Sequence, residues 1–171
     1  MPNTTFDHNS ASSSISELEE TRRFWNASPC DGQDNFEVRK KFRYTKDAFI
    51  PFILEMMASR HTDIVEIGCG QGTDGLTLCH LLPPGAKYRG YDYSDESLSL
   101  ARQATEQAVG LSVTPLFMKG NAENLEVETD TVECVYSLGV LHHTPDTIKS
   151  IKEVFRRFLH WGSRNDYGKN R

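Results

Sequence analysis

Residues 64–75 read IVEIGCGQGTDG, an apolar run followed at once by Gly68, Gly70, Gly72 and Gly75. Few sequence features constrain a fold more. Glycine enters positive-φ conformations that other residues resist, and it lets a ligand approach the backbone with no Cβ in the way. The stretch therefore predicts a buried strand, a sharp turn, and a helix whose first amides point outward beside that turn.

The chain around this turn alternates in period. Asp63 to Ile67 reads as a short buried strand, and Gly72 to Leu82 as a helix stopped by the PPG at 83–85. Lys87 to Tyr91 is a second strand ending at Asp92. Ser94 caps the next helix, which carries Asp95 and Glu96 where the helix dipole favours acids and ends by Gly110. Thr114 to Met118 is a third strand, and its Pro115 marks it as an edge. Thr131 to Ser137 is a fourth. A last helix starts near Thr144 with Pro145 in its first position, and presents Ile148, Ile151, Phe155, Phe158 and Leu159 on one face. Strands alternating with helices predict an α/β fold, a Rossmann-like doubly wound parallel sheet.

Ahead of the sheet, residues 1–14 are polar and read as a disordered tail, 15–60 as a helical lead-in, 61–159 as the core, and 160–171 as an irregular polar tail. Ser16 and Glu19 form a capping box for a helix carrying Ile15, Leu18 and Trp25. A loop runs from Asn26 to Asn35. Thr45 and Asp47 suit the start of a second helix that holds Phe49, Phe52, Ile53, Met56 and Met57, with Pro51 in its first turn. At 171 residues and 37% apolar content, the chain is sized for one core.

Composition excludes several functions. A net charge of −5 offers no broad basic field for a nucleic acid. Cys30, Cys69, Cys79 and Cys134 lack CxxC spacing and read as reduced thiols. There is no bilayer-spanning run and no secretory signal, so the expected setting is cytoplasmic, with no membrane partner. His8, His61, His80 and His160 show no ligand spacing, and no metal is expected. Arg22, Arg23, Arg39, Lys40 and Lys41 read as solvated faces of the lead-in.

In a doubly wound sheet a ligand lies beyond the carboxyl ends of the strands. The glycines could merely make a tight turn, but Asp92 ends the second strand, where a carboxylate can accept both hydroxyls of a ribose. Gly70, Gly72 and Gly75 also satisfy GxGxxG, with Asp92 about 20 residues on, as an NAD site requires. Two features oppose NAD. The register begins after Gly68, the first glycine past the strand, and Glu66 would repel a diphosphate. A ribose carrying a cationic or zwitterionic tail satisfies both carboxylates.

VEIGCGQGTDG, GYDYSDESL, GNAENL and DTVECVYSLGVLHHTPD, in that order, resemble the successive motifs of the class I S-adenosylmethionine-dependent methyltransferases, especially those acting on small molecules. The resemblance covers roughly residues 60–159, and FWNASPC and KFRYTKDAFIP resemble the helical lead-in of some members. It implies S-adenosyl-L-methionine as cofactor, with Glu66, Gly68, Cys69, Gly70 and Gly72 around its methionine part. It further implies Asp92 on the ribose, Tyr93 against adenine, and Asn121, Ala122 and Glu123 along the adenine edge. The family usually has Asp at position 121. Asn still accepts a hydrogen bond there, though a weaker one.

Methyl transfer from a sulfonium needs alignment and desolvation, and a base only where the acceptor keeps its proton. His142 and His143, after the fourth strand, are the candidate catalytic groups, and capping the last helix is the alternative role. Past IKEVFR the pattern departs from the family. FLHWGSRNDYGKNR holds no strand-like run, so the sheet is expected to be incomplete on its C-terminal side, with VECVYSLGV at an edge open to self-association. Either a shortened or frame-shifted gene product or a partner chain that supplies the cover would explain this. The reading is a methyltransferase for a small-molecule acceptor. The alternatives are a non-catalytic cofactor-binding or interaction module and, third, an NAD-dependent oxidoreductase.

Overall fold

The computed structural model describes residues 9–29, 35–126 and 132–157. Three helices, α1 (Asn9–Ala27), α2 (Phe36–Lys46) and α3 (Ile50–Arg60), lead into β1 (Asp63–Ile67). Then come α4 (Thr73–Leu81), β2 (Lys87–Asp92), α5 (Asp95–Gln107), β3 (Leu116–Lys119), β4 (Cys134–Tyr136), a 3-10 turn at Leu141–His143, and α6 (Thr147–Arg157). All pairings in the sheet are parallel, in the order β3-β2-β1-β4. The α/β reading holds and β3 lies at an edge as expected, but it begins at Leu116, so Pro115 precedes the strand instead of lying within it.

Alternation of side chains divides the strands between two cores. Ile64, Tyr88, Phe117, Cys134 and Tyr136 face Leu54 of α3, Leu78 of α4 and Leu98 of α5. On the other face Val65, Ile67 and Tyr91 pack with Leu125, Val132 and, from α6, Val154. Cys69, Cys79 and Cys134 are buried free thiols, as expected, whereas Cys30 lies outside the described residues.

The lead-in differs from its expectation. α1 begins at Asn9, ahead of the Ser16 capping box, so residues 9–14 belong to a helix that no Gly or Pro interrupts up to Ala27. Residues 36–46 form a helix of their own. Asn35 caps it, its Oδ1 accepting from Glu37 and Val38 N–H, and Thr45 lies inside it rather than starting the next one. The signal was present in Asn35 followed by Phe36 and Glu37, but the charge run over 39–41 masked its helical stripe. Pro51 does sit in the first turn of α3.

α6 is turned the other way from its predicted packing. Ile148, Ile151 and Phe155 are 62%, 37% and 73% exposed, while Ser150, Glu153 and Val154 meet the protein. Polar bonds set this rotation. Glu153 Oε1 accepts the Leu125 N–H at 2.9 Å, and the Ser150 hydroxyl donates to Thr144 Oγ1 at 2.8 Å. The helix also starts at Thr147, with Asp146 accepting the Lys149 N–H as a cap would, so Pro145 precedes it. Phe158 and Leu159 lie outside the described residues. Among those described, β4 pairs with β1 on one side and with no strand on the other, which agrees with the expected edge.

Gly75 explains itself in this packing. It lies inside α4, where glycine costs about 1 kcal/mol against alanine. A Cβ there would fall on the hydroxyl and ring of Tyr88, a residue buried in β2. The third glycine of the apparent GxGxxG is thus a steric allowance for a tyrosine. Gly75→Ala is expected to lower stability by about 1–3 kcal/mol despite the better helix propensity. Urea unfolding would show this, and a Gly75→Ala, Tyr88→Leu double variant should lose less than the sum of the single changes.

Candidate cofactor site

The turn after β1 is held from both sides. Gly68, Gly70 and Gly72 take positive φ, which the sharp change of direction requires. The Tyr91 carbonyl accepts from the N–H groups of Gly68 and Cys69, at 2.7 and 3.1 Å, tying the turn to the end of β2. Asp92 continues this link. Its Oδ2 accepts the Gly70 N–H at 2.7 Å and its Oδ1 accepts the Ser94 N–H at 2.8 Å. From the opposite side α2 inserts Arg39, which is only 1% exposed, donating to Thr73 Oγ1 at 3.0 Å and to the Gln71 carbonyl at 3.2 Å. The expectation of a solvated Arg39 is therefore corrected: its guanidinium supplies fixed donors to backbone and hydroxyl acceptors that the turn leaves open. Arg22 too is paired, with Glu19 and with Asp95 of α5.

One cavity opens at the carboxyl ends of the strands, with walls from the glycine turn, the ends of β2 and β3, the loop after β4, and α1. Glu66, Gly68, Cys69, Gly70, Asp92, Tyr93, Asn121, Ala122 and His143 line it, so the structure brings these predicted residues together. Gly72, Glu123 and His142 do not line it. Gly72 caps α4, and a Cβ on it would crowd Phe117 and Ala101. Glu123 turns toward the last helix, its Oε1 accepting the Asp146 N–H at 2.9 Å. Asn121 spends Oδ1 on the Glu123 N–H at 2.9 Å, which leaves one lone pair of that oxygen for a ligand.

The floor of the cavity is acidic. Glu66 is 4% exposed and accepts from the Tyr88 hydroxyl at 2.5 Å. Burial, followed by the charge of Asp74, raises its pKa well above the ordinary carboxylate value. Asp74 is neutralised by both nitrogens of the Arg43 fork, at 2.8 and 2.7 Å, and by the Tyr136 hydroxyl at 2.9 Å. The Asp92 carboxyl is also raised, by burial, against the opposing donors Ser94, Gly70 and Tyr93. Burial and the acidic neighbours Glu66 and Asp92 raise the Cys69 thiol well above its normal value, which keeps it an inert wall. Such a floor suits a cation. The Gly70 Cβ position is open, with no atom within 4 Å, so the backbone there is bare toward the space.

Sequence reasoning missed the lid side of the cavity. Leu18, Thr21 and Trp25 of α1 line it, with Leu138 and Val140 of the loop after β4. Trp25 meets the His143 ring edge-on, at 5.3 Å between centroids. Its place in a helical stripe made Trp25 look like ordinary core. α1 is tied down beside the cavity by Arg22 to Asp95 and by the Ser94 hydroxyl, which donates to Asn26 Oδ1 at 2.8 Å.

A parallel sheet with a glycine turn after its first strand and a carboxylate closing its second is a nucleotide-binding arrangement, and the comparisons with known proteins make it the class I methyltransferase fold, whose cofactor is S-adenosylmethionine. A family model described as "Methyltransferase domain" matches residues 64–162, more than half of the chain, and the chain belongs to that family. It is 32% identical over 100 residues to an uncharacterized 37.1 kDa protein in a transposon of Streptomyces fradiae, a match that covers 58% of this chain and 28% of that protein. It is 29% identical over 93 residues to demethylmenaquinone methyltransferase of Lactococcus lactis, covering 54% of this chain and 36% of the relative. The chain thus matches about a third of the length of these curated relatives. Magnesium protoporphyrin IX methyltransferase from Synechocystis, solved with bound S-adenosylmethionine, superposes with a TM-score of 0.63 at 20% identity, over 92% of this chain and 74% of that one.

Arg39→Met is expected to lower stability by about 2–3 kcal/mol in urea unfolding, since a charged donor to two buried acceptors is lost. Arg39→Lys should restore little, because an ammonium lacks the planar fork. Partial burial of the His143 ring, followed by the charge of His142, lowers its pKa from the ordinary imidazole value. An NMR pH titration checks that midpoint, which should move up in a Trp25→Ala variant that admits water.

Proposed function

We infer that the chain binds S-adenosylmethionine in this cavity and transfers its methyl group to a small, largely apolar acceptor. The observation that carries this is the placement of two carboxylates, buried Glu66 and half-buried Asp92, on one cavity with the bare Gly70 backbone among its lining residues. Glu66 would take the cationic amino-acid end of the cofactor, Asp92 the ribose hydroxyls, and Tyr93, Asn121 and Ala122 the adenine. When bound, the cofactor supplies a methyl group on a positively charged sulfur.

The protein's own part is alignment and dryness. Leu18, Trp25, Leu138 and Val140 line the same cavity and exclude water from its mouth, which favours loss of charge during transfer. They also favour an apolar acceptor, in keeping with the relative named for demethylmenaquinone. Among the described residues, His143 is the one imidazole on this wall. Partial burial and then His142 lower its pKa, which favours the neutral ring, and a neutral ring can accept a proton from a hydroxyl-bearing acceptor.

Calorimetric titration of S-adenosylmethionine and S-adenosylhomocysteine into the chain tests the binding half. Saturable binding is expected, weakened roughly 100-fold in Asp92→Ala through loss of two charge-assisted hydrogen bonds. Asp92→Asn, which keeps one acceptor oxygen for Gly70 or Ser94 and turns an NH2 toward the other amide, should lose less than Asp92→Ala. Absence of binding by the folded chain would sink the reading. Transfer of labelled methyl to a panel of hydroquinones and phenols tests the second half.

A further inference from the structure

Tyr88 has been given more room than a core tyrosine needs. Its ring starts from β2, opposite Ile64 of β1 in the parallel register, and its hydroxyl reaches Glu66 two residues further along that neighbouring strand. The path is clear because two side chains are missing. Gly75 in α4 leaves space over the hydroxyl and ring. Gly90, the register partner of Glu66, leaves the space beside it: a Cβ there would stand 2.9 Å from the Tyr88 hydroxyl, from Cys69 Sγ and from Phe117 Cδ1. Phe117 fixes the ring from its edge, with centroids 5.9 Å apart. Two glycines inside regular elements, each costly to its element, serve one phenol–carboxylate contact.

We propose that Tyr88 is the positioning residue that sets when Glu66 is ionised, and so makes binding of the cofactor's ammonium end depend on pH. The proposal rests on the cofactor reading above. The hydroxyl donates to Oε2 of Glu66, which leaves Oε1 for a cation in the cavity that Glu66 lines. A donor stabilises the carboxylate over the carboxylic acid, so it opposes the surroundings of the group.

Those surroundings mostly favour the acid. Asp74 of α4 repels its charge, as does Asp92 at the end of β2, and the thiol of Cys79 feels the Glu66 charge in turn. Tyr44 of α2 and Tyr136 of β4 also feel the Glu66 charge, as does Cys69 in the turn. The cation facing Glu66 is Arg43 of α2, already paired with both oxygens of Asp74. Against burial and the repulsion of Asp74, the Tyr88 hydroxyl is the leading favourable contribution to the charged form.

The proton balance follows. Because burial and Asp74 favour the carboxylic acid, ligand-free Glu66 holds its proton to a higher pH than an exposed carboxyl would. Arrival of an ammonium group requires the carboxylate, and the proton leaves to solvent. Affinity therefore rises with pH until Glu66 is ionised without help, then levels off. Removing the Tyr88 hydroxyl moves that rise to higher pH and leaves the plateau in place.

S-adenosylhomocysteine, which keeps the ammonium but has an uncharged sulfur, is the probe. Its affinity is measured by calorimetry from pH 5 to 8 for the parent, Tyr88→Phe and Glu66→Gln. Expected are a rise in affinity with pH for the parent, the same rise displaced upward by about one pH unit in Tyr88→Phe, and no rise in Glu66→Gln. At a pH on the slope this is about a tenfold weaker binding in Tyr88→Phe, shrinking to none at the plateau. A Tyr88→Phe curve that overlays the parent, or lies below it by one factor at every pH, overturns the proposal, since a packing role alone would do that.

A second readout needs no ligand. The carbonyl stretch of protonated Glu66, identified by its loss in Glu66→Gln, is followed by infrared titration. Its midpoint should move up in Tyr88→Phe and down when a more acidic fluorotyrosine replaces Tyr88. An unmoved midpoint overturns the proposal. If the folded parent fails to bind the probe, the cofactor reading fails, and this titration still decides the role of Tyr88.

Discussion

The backbone leaving β1 reverses within Gly68–Gly72, and nearly everything around it exists to hold that reversal. A turn of this kind leaves amides and carbonyls that cannot pair within a strand or a helix. Tyr91 takes two of the amides, Asp92 takes a third, and Arg39 supplies donors from behind. Each of these groups comes from a different distance along the chain, so the turn is a product of the tertiary fold. Its stiffness in turn fixes where Glu66 and Asp92 stand relative to one another.

In the proposed function this arrangement couples stability to binding. Asp92 holds the Gly70 and Ser94 amides as well as facing the cavity, and Asp74 neutralises Arg43 while pressing on Glu66. Carboxylates near one another in a dry place are kept apart in role by their partners: Asp74 has a bidentate cation, Glu66 has a phenol, and Asp92 has backbone donors. The cavity floor is left acidic enough to favour a cation while its walls at α1 and the loop after β4 stay apolar.

The lead-in helices have distinct tasks in that division. α2 reaches under the turn with Arg39 and Arg43, whereas α1 crosses the cavity mouth and rests on α5 through Arg22 and Asn26. At the other margin, α6 is anchored by Ser150 and Glu153 and keeps Ile148, Ile151 and Phe155 in solvent.

By itself the sequence determined β1 and β2, the helix capped by Ser94, the edge position of β3, and the ligand end of the sheet, because each rests on local periodicity or local turn chemistry that a few neighbouring residues complete. Most of the predicted site residues line the cavity for the same reason, since Gly70 follows the first strand and Asp92 closes the second. The tertiary structure alone decided the rest. Gly75 looked like a third nucleotide glycine until Tyr88 filled the space over it, and Gly72 proved to be a helix cap. Arg39 looked like a surface charge until a distant turn offered it acceptors, and the apolar stripe of α6 looked inward until Leu125 and Thr144 rotated it out. For Gly75, Arg39 and Glu153 the deciding atom lies on another element of the fold, and side-chain pattern carries no information about which distant atom will arrive.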